Sequence, residues 1–395
     1  MGVWTTLARM ATVTVFGALA AGTALALAAG AALAQDTVTI GYTGPLSGGA
    51  ALYGKNTLSG LEIAAKDINA AGGFTVAGKT YKVNVVALDD KYSPSESAVN
   101  AKRLKAQYGA PIVFVPHSGG AFALQAFNEQ DNFIVAAYTS VPNITERGNT
   151  LTLRIPPSFL GYIDPFVRVE MATFGKKLAI ANADHDYAKA WTKAFVPVWE
   201  KAGGTVVADN PLSYNKDTDF YSGVSRVLAA SPDVMLVGGA SEPTALLIRQ
   251  ARELGFQGGF AIMDQAKLDE MARIVEGFTL LEGSVGVMPL VHDRRPGAEA
   301  FVAKYRKLFN KDPGSEVSYN YTALNAVTEA MTLAGTVSDP KAIRAKLNDA
   351  YAALPSERNP ARITGVDANG GSNAKIIVGF VEKGVIVPID AATGQ

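Results

Sequence analysis

Residues 48–57 read GGAALYGKNT. From Gly49 the order is glycine, four residues, Gly54 and Lys55, the spacing of a phosphate-cradling loop until its last position. There Asn56 stands where a Ser or Thr would bind magnesium. Val85–Asp90, VVALDD, has the form of an apolar strand ending in an acid that could hold that metal. The two half-matches together would make a nucleotide hydrolase. Other reactive constellations are thin. His117, His185 and His292 are scattered without HExxH or comparable ligand spacing, so no metal is expected. There is no G-x-S-x-G elbow, and with no Cys a thiol nucleophile is impossible. A hydrolase built on Ser118 would need a histidine and an acid to converge on it from elsewhere in the chain.

The elements that must position the loop speak against phosphate. In a phosphate loop the glycine-rich turn leaves the strand directly and its amides wrap the anion ahead of the helix. Here GPLSG intervenes after the strand, Tyr53 would crowd the loop, and the hydroxyl is missing at Asn56. The acids of LDD read better as turn formers at a strand end. No cofactor is expected.

The N-terminal stretch points outside the cytoplasm, where ATP is scarce. Residues 1–34 carry one charged residue, Arg9, then an apolar run ending in Ala32-Leu33-Ala34, the layout of a cleavable secretory signal cut before Gln35. A membrane anchor is the competing reading, and the small-residue composition and A-x-A end favour cleavage. No Cys follows the apolar run, so lipid attachment is excluded. The expected product is a free exported protein of roughly 360 residues, long enough for two domains with a core each. Its charge is nearly balanced, since the chain holds 36 Lys+Arg against 36 Asp+Glu, so no field recruits nucleic acid. Without Cys its stability rests on packing rather than disulfides.

Along that chain, strand-like and helix-like patterns alternate. Strand runs are expected at 37–43, 82–90, 112–116, 133–138, 177–182, 233–239, 259–264 and 375–382, apolar throughout rather than alternating, as strands covered on both faces should be. Helical patterns fill about 54–70, 95–107, 120–130, 187–202, 218–230, 243–254, 298–309 and 318–334. This is a βαβα chain with mostly parallel sheets. Three irregular stretches punctuate it: the double-proline segment RIPPS (154–158), VGVMPLVHD (285–293) and RITGVDANGGSNAK (362–375). They suggest two lobes sharing the chain.

The strings IGYTGPLSGGAALYGKNTLSGLEIAAKDINAAGG, TSVPNITERG, LRIPPS, AIANADHDYAKA and LIRQARELGFQGGF, in this order, resemble periplasmic solute-binding proteins of the Leu/Ile/Val-binding family over essentially the whole mature chain. The resemblance implies a two-lobed type I periplasmic binding protein fold, each lobe a mostly parallel α/β sheet flanked by helices, with three hinge crossovers. The lobes would be 35–155 plus 286–364 and 156–285 plus 365–395. It implies no catalysis: a monomer captures a small-molecule ligand by hinge closure and delivers it to an ABC permease with its ATPase subunits. A sensor for a membrane receptor is a lesser alternative.

A ligand carboxylate would be held by hydroxyls and free amides at a helix N-terminus. Ser118 and Gly119, opening a helix after IVFVP, stand at the family's position for this role, and Tyr138, Thr139 and Ser140 after the next strand offer a second set, with Ser140 at the family's hydroxyl position. Tyr53 matches the aromatic of the first loop, and Tyr187 the tyrosine of the second lobe. His117, beside Ser118, either touches ligand or is an ordinary loop histidine. An amino group would need a buried counter-charge, and Asp264 or Gln265 stands in that region. With Asp264 in the cleft a hydrophobic or branched-chain amino acid fits; with Gln265 there, an aromatic or aliphatic carboxylate or an amide.

Overall fold

A computed structural model describes residues 36–389. The expected secretory signal lies outside them. The strands form two large sheets. In the first, β1 (Asp36–Gly44), β4 (Ile112–Val115), β5 (Ile134–Ala137) and β6 (Thr152–Arg154) run side by side in parallel, and β3 (Lys79–Asp89) lies beyond β1, its outer edge closed by an antiparallel β2 (Phe74–Val76). In the second, β7 (Lys177–Ile180), β8 (Thr205–Asp209), β9 (Val234–Val237), β10 (Gly259–Ile262) and β11 (Ser284–Val287) are parallel, in the order β8-β7-β9-β10-β11. A two-residue pair, β12 (Gly365–Val366) with β13 (Ser372–Asn373), precedes β14 (Val378–Glu382) and β15 (Val385–Ile389), which return antiparallel to the edge of the second sheet.

Helices α1 (Ala51–Ala70), α2 (Pro94–Tyr108), α3 (Ser118–Gln125) and α4 (Asn143–Glu146) belong to the first run of strands. Helices α5 (Leu160–Thr173), α6 (Asp186–Lys201), α7 (Tyr221–Leu228), α8 (Ser241–Glu253) and α9 (Leu268–Ile274) belong to the second. Then α10 (Pro296–Phe309), α11 (Ser315–Ala334), α12 (Pro340–Ala345) and α13 (Leu347–Ala353) follow, with α11 packed along α1. The chain therefore passes between the lobes at RIPPS, again after β11, and again before β14. Strands β4, β5, β9 and β10 are buried along their whole length, as continuous apolar runs require when helices cover both faces.

The GGAALYGKNT loop is resolved by this geometry. Helix α1 begins at Ala51, so Gly54 and Lys55 lie inside it rather than in a loop before it. A Cβ on Gly54 would sit 1.7 Å from the carbonyl oxygen of Pro45, so its glycine serves a close approach of helix and loop. Lys55 is exposed. The two acids of LDD fix the neighbouring backbone: Asp89 Oδ1 accepts from Leu46 N–H at 2.9 Å, and Asp90 Oδ1 accepts from Tyr92 N–H at 2.9 Å.

Candidate ligand-binding site

The carboxyl ends of β4 and β5 face those of β7 and β10 across a cleft with about 290 Å³ of empty space. Ligands of open α/β sheets bind at such strand ends. The wall from the first lobe carries Tyr53, Ser118, Tyr138, Thr139 and Ser140; the wall from the second carries Tyr187, Asp264 and Gln265. Sequence reasoning thus finds eight of these residues, and both members of the Asp264/Gln265 pair line the cleft. Gly119 does not: a Cβ there would meet Pro94 at 2.8 Å and Asp186 Oδ2 at 3.3 Å, so the residue packs at the rim between α2 and α6.

Asp264 organises the second wall. Its Oδ1 accepts from Tyr187 OH at 2.6 Å, Ser140 Oγ at 2.9 Å and Trp191 Nε1 at 3.0 Å. Three donors hold one oxygen and turn the carboxylate, while Oδ2 receives no donor from the described residues. Tyr187 OH in turn accepts from the backbone N–H of Gln265 at 2.9 Å. Trp191 is fully buried, stacked on Phe159 with ring centroids 4.7 Å apart, so the indole donor is rigid. Burial pushes the phenols of Tyr53, Tyr138 and Tyr187 well above their usual range, so all three stay neutral donors.

The facing wall of the first lobe is rich in donors. Ser118 Oγ and Thr139 Oγ1 lie 2.7 Å apart. Ser118 opens α3, and the backbone N–H groups of Ser118, Thr139 and Ser140 have no acceptor among the described residues. This is the arrangement of a small anion site. Ser140 differs from expectation in one respect: its hydroxyl hydrogen is used on Asp264, so its backbone amide is the group left for an anion. Tyr53 donates to the carbonyl of Pro116 at 2.7 Å and sets its ring 6.1 Å from that of Tyr138, so it contributes a face rather than a hydroxyl.

Four contributors escape the sequence reading or are left open by it. Tyr92 lines the cleft, stacked between His117 at 4.5 Å and His185 at 5.1 Å. It sits in the left-handed region at φ 63°, costly for an aromatic residue and a mark of a functional turn. Its OH accepts from Gln265 Nε2 at 3.1 Å across the lobes. His117 also lines the cleft, but it caps α3: Nδ1 accepts from Gly120 N–H at 3.0 Å, which places the ring proton on Nε2, 3.0 Å from Asp90 Oδ2. Ser118 bonds Thr139 and has no histidine partner among the described residues, so the geometry gives the hydrolase reading no general base. Lys267 is buried in the wall, its Nζ donating to the carbonyls of Asp264 and Gln265, the latter at 3.0 Å. The fourth, Trp191, stands behind the wall. Neither Lys267 nor Trp191 carries a local motif, since each acts through a carbonyl or carboxylate that only the fold brings near.

Residues 37–370 match the model of a family described as periplasmic binding protein. An amino acid binding protein of Pseudomonas aeruginosa is 29% identical over 332 residues, covering 80% of this chain and 86% of that relative. A Leu/Ile/Val-binding protein of Escherichia coli is 24% identical over 304 residues, covering 75% and 79%. The solved structure of LivJ from Streptococcus pneumoniae in complex with isoleucine superposes with a TM-score of 0.75 at 22% identity, covering 89% of this chain and 99% of that one. A solute binding protein of R. palustris in complex with benzoate gives 0.74 at 17% identity, covering 89% and 95%. Two lobes of this topology around a closed polar cleft, with a family match running through both, show that the chain belongs to the periplasmic binding protein family.

Proposed function

We propose that this protein captures a small hydrophobic or branched-chain amino acid in the periplasm and delivers it to an ABC permease, whose ATPase subunits supply the energy. The lobes that close would be 35–155 plus 286–364 and 156–285 plus 365–395, a division supported by which strands pair in each sheet. The observation that carries the ligand class is the split polarity of the cleft. Asp264 offers an unpaired carboxylate oxygen on the second-lobe wall, and free amides with the Ser118–Thr139 hydroxyl pair stand on the first-lobe wall. An α-amino acid carries both an ammonium and a carboxylate, and a buried ammonium without a counter-charge is expensive. Chemistry on the solute is not part of this reading.

A second reading is favoured by one observation. The buried Lys267 ammonium in the wall could balance a carboxylate that brings no amino group, such as an aromatic or aliphatic acid. Thermal shift and calorimetry with L-leucine, L-isoleucine, benzoate and acetamide separate the two. The amino-acid reading expects saturable binding of the first two and none of acetamide. Tight benzoate binding with no response to either amino acid would overturn it in favour of the second reading.

A further inference from the structure

A second polar cluster bridges the lobes away from the solute cleft. Asn56, on α1 of the first lobe, donates from one amide nitrogen to Glu270 Oε1 at 2.6 Å and to Glu316 Oε1 at 2.9 Å. Glu316 opens α11 of the same lobe, whereas Glu270 lies on α9 of the other and also accepts from Ser241 at 2.7 Å. Glu270 is 5% exposed and Glu316 fully buried. Both carboxyls come within 2.6 Å of the position a Cβ on Gly314 would take, so they approach each other closely. Glu316 Oε2 is buried with no donor among the described residues. The other charged or titratable groups around the pair are Asp269, Lys267, Arg273, Tyr305, Tyr53 and Tyr138. Neither cation is bonded to the pair: Lys267 holds two backbone carbonyls, and Arg273 holds Asp269 at 3.2 Å.

Two buried carboxyls that share one amide and no cation cannot both be ionised without a large desolvation and repulsion cost. Parting the lobes would leave Asn56 and Glu316 on one side and Glu270 and Ser241 on the other, each free to meet water. We propose that Asn56, Glu270 and Glu316 form an interlobe latch that takes up one proton from solvent as the lobes close, so that solute capture and proton binding are coupled.

The sign follows from linkage. Burial, with Glu316 second, pushes the Glu270 carboxyl well above its usual range in this closed state. The closed form then binds more protons than the open form, so closure is favoured as pH falls and weakened as pH rises through the raised value. Within that window the latch weakens capture by up to about tenfold per pH unit. His185, held low by burial, acts in the opposite direction and must be separated from it.

The latch rests on the hinged capture proposed above, and the test is arranged so that the two fail differently. Calorimetry of L-leucine, with benzoate in parallel, is run in buffers of different ionisation heat between about pH 5.5 and 8 to count protons taken up per solute. The count for wild type minus that for Glu270→Gln, whose amide mimics the protonated acid, isolates the pair from His185. It is expected to approach one proton, with a pH-flattened affinity in the variant, and Glu316→Gln is expected to behave alike. Equal counts in wild type and both variants would overturn the latch while leaving capture intact. Should one variant fail to fold, the other supplies the difference. Should neither probe bind, the capture reading falls for these solutes. Scattering of the free protein at about pH 5 and 8 then decides: compaction at the lower pH that the Gln variants lose supports the latch, and identical profiles refute it.

Discussion

At the scale of single residues, the site turns on one carboxylate whose two oxygens have different tasks. Changing Asp264 to Asn keeps the shape but removes the charge, and should weaken amino-acid binding by about 2 kcal/mol, the range of a hydrogen bond to a charged group. Benzoate binding should be unchanged or tighter, and calorimetry on both solutes reads the contrast. Changing Tyr53 to Ala should cost more than ~1 kcal/mol through lost aromatic contact, whereas Lys55 to Ala should change affinity little, because that exposed charge is screened by solvent. His185 makes a separate prediction. Burial pushes its imidazole down to about 4, so between the ordinary value near 6.5 and that value the unfolded chain takes up a proton that the fold does not. Stability should therefore fall as pH drops through this window, and His185→Gln should flatten that part of a urea-denaturation series. Residues such as Ser118, Thr139 and Asp264 were legible from the sequence because they follow recognisable strands, at or beside the places where the resemblance to the family puts its cleft groups. Tyr92 and Lys267 were not, since what brings them to the cleft is a left-handed turn and a reach back to two carbonyls.

At the scale of elements, periodicity sufficed wherever a strand is covered on both faces or a helix shows one apolar stripe. The expected helix at 54–70 is α1, and that at 120–130 is α3, which ends at Gln125 because the chain then turns toward β5. The elements not anticipated have physical reasons for their silence. Helix α5 carries Gly161 and Pro165 in its sequence, both poor helix formers. Strand β8 is a half-exposed edge, and β15 contains Pro388, which only an edge strand tolerates. The contact of α1 with α11 depends on a missing side chain: a Cβ on Gly60 would fall 2.4 Å from the carbonyl oxygen of Val317. Gly60→Ala should lower stability by about 1–3 kcal/mol, as overpacked sites do, with solute affinity preserved in the folded fraction. Retained stability in urea would mean that the two helices separate more easily than their packing suggests.

At the scale of the whole molecule, bonds that cross from one wall to the other join the lobes: Ser140 to Asp264, Tyr92 with Gln265, and Asn56 to Glu270. A population shift on binding needs such contacts to be stronger in one state than the other. Small-angle scattering should show the radius of gyration fall on adding a bound solute, and an unchanged profile at saturation would argue for a molecule already closed. Of the three tryptophans in the sequence, Trp4 falls in the expected signal, leaving Trp191 and Trp199 in the mature chain. Trp199 donates to the carbonyl of Lys176 at 3.0 Å, whereas Trp191 donates to Asp264 Oδ1, on the carboxylate proposed to meet the solute. The protein therefore carries its own optical indicator. An ammonium arriving at Asp264 alters the field along that indole, and ultraviolet-excited emission should change with occupancy in wild type and in Trp199→Phe, but remain silent in Trp191→Phe.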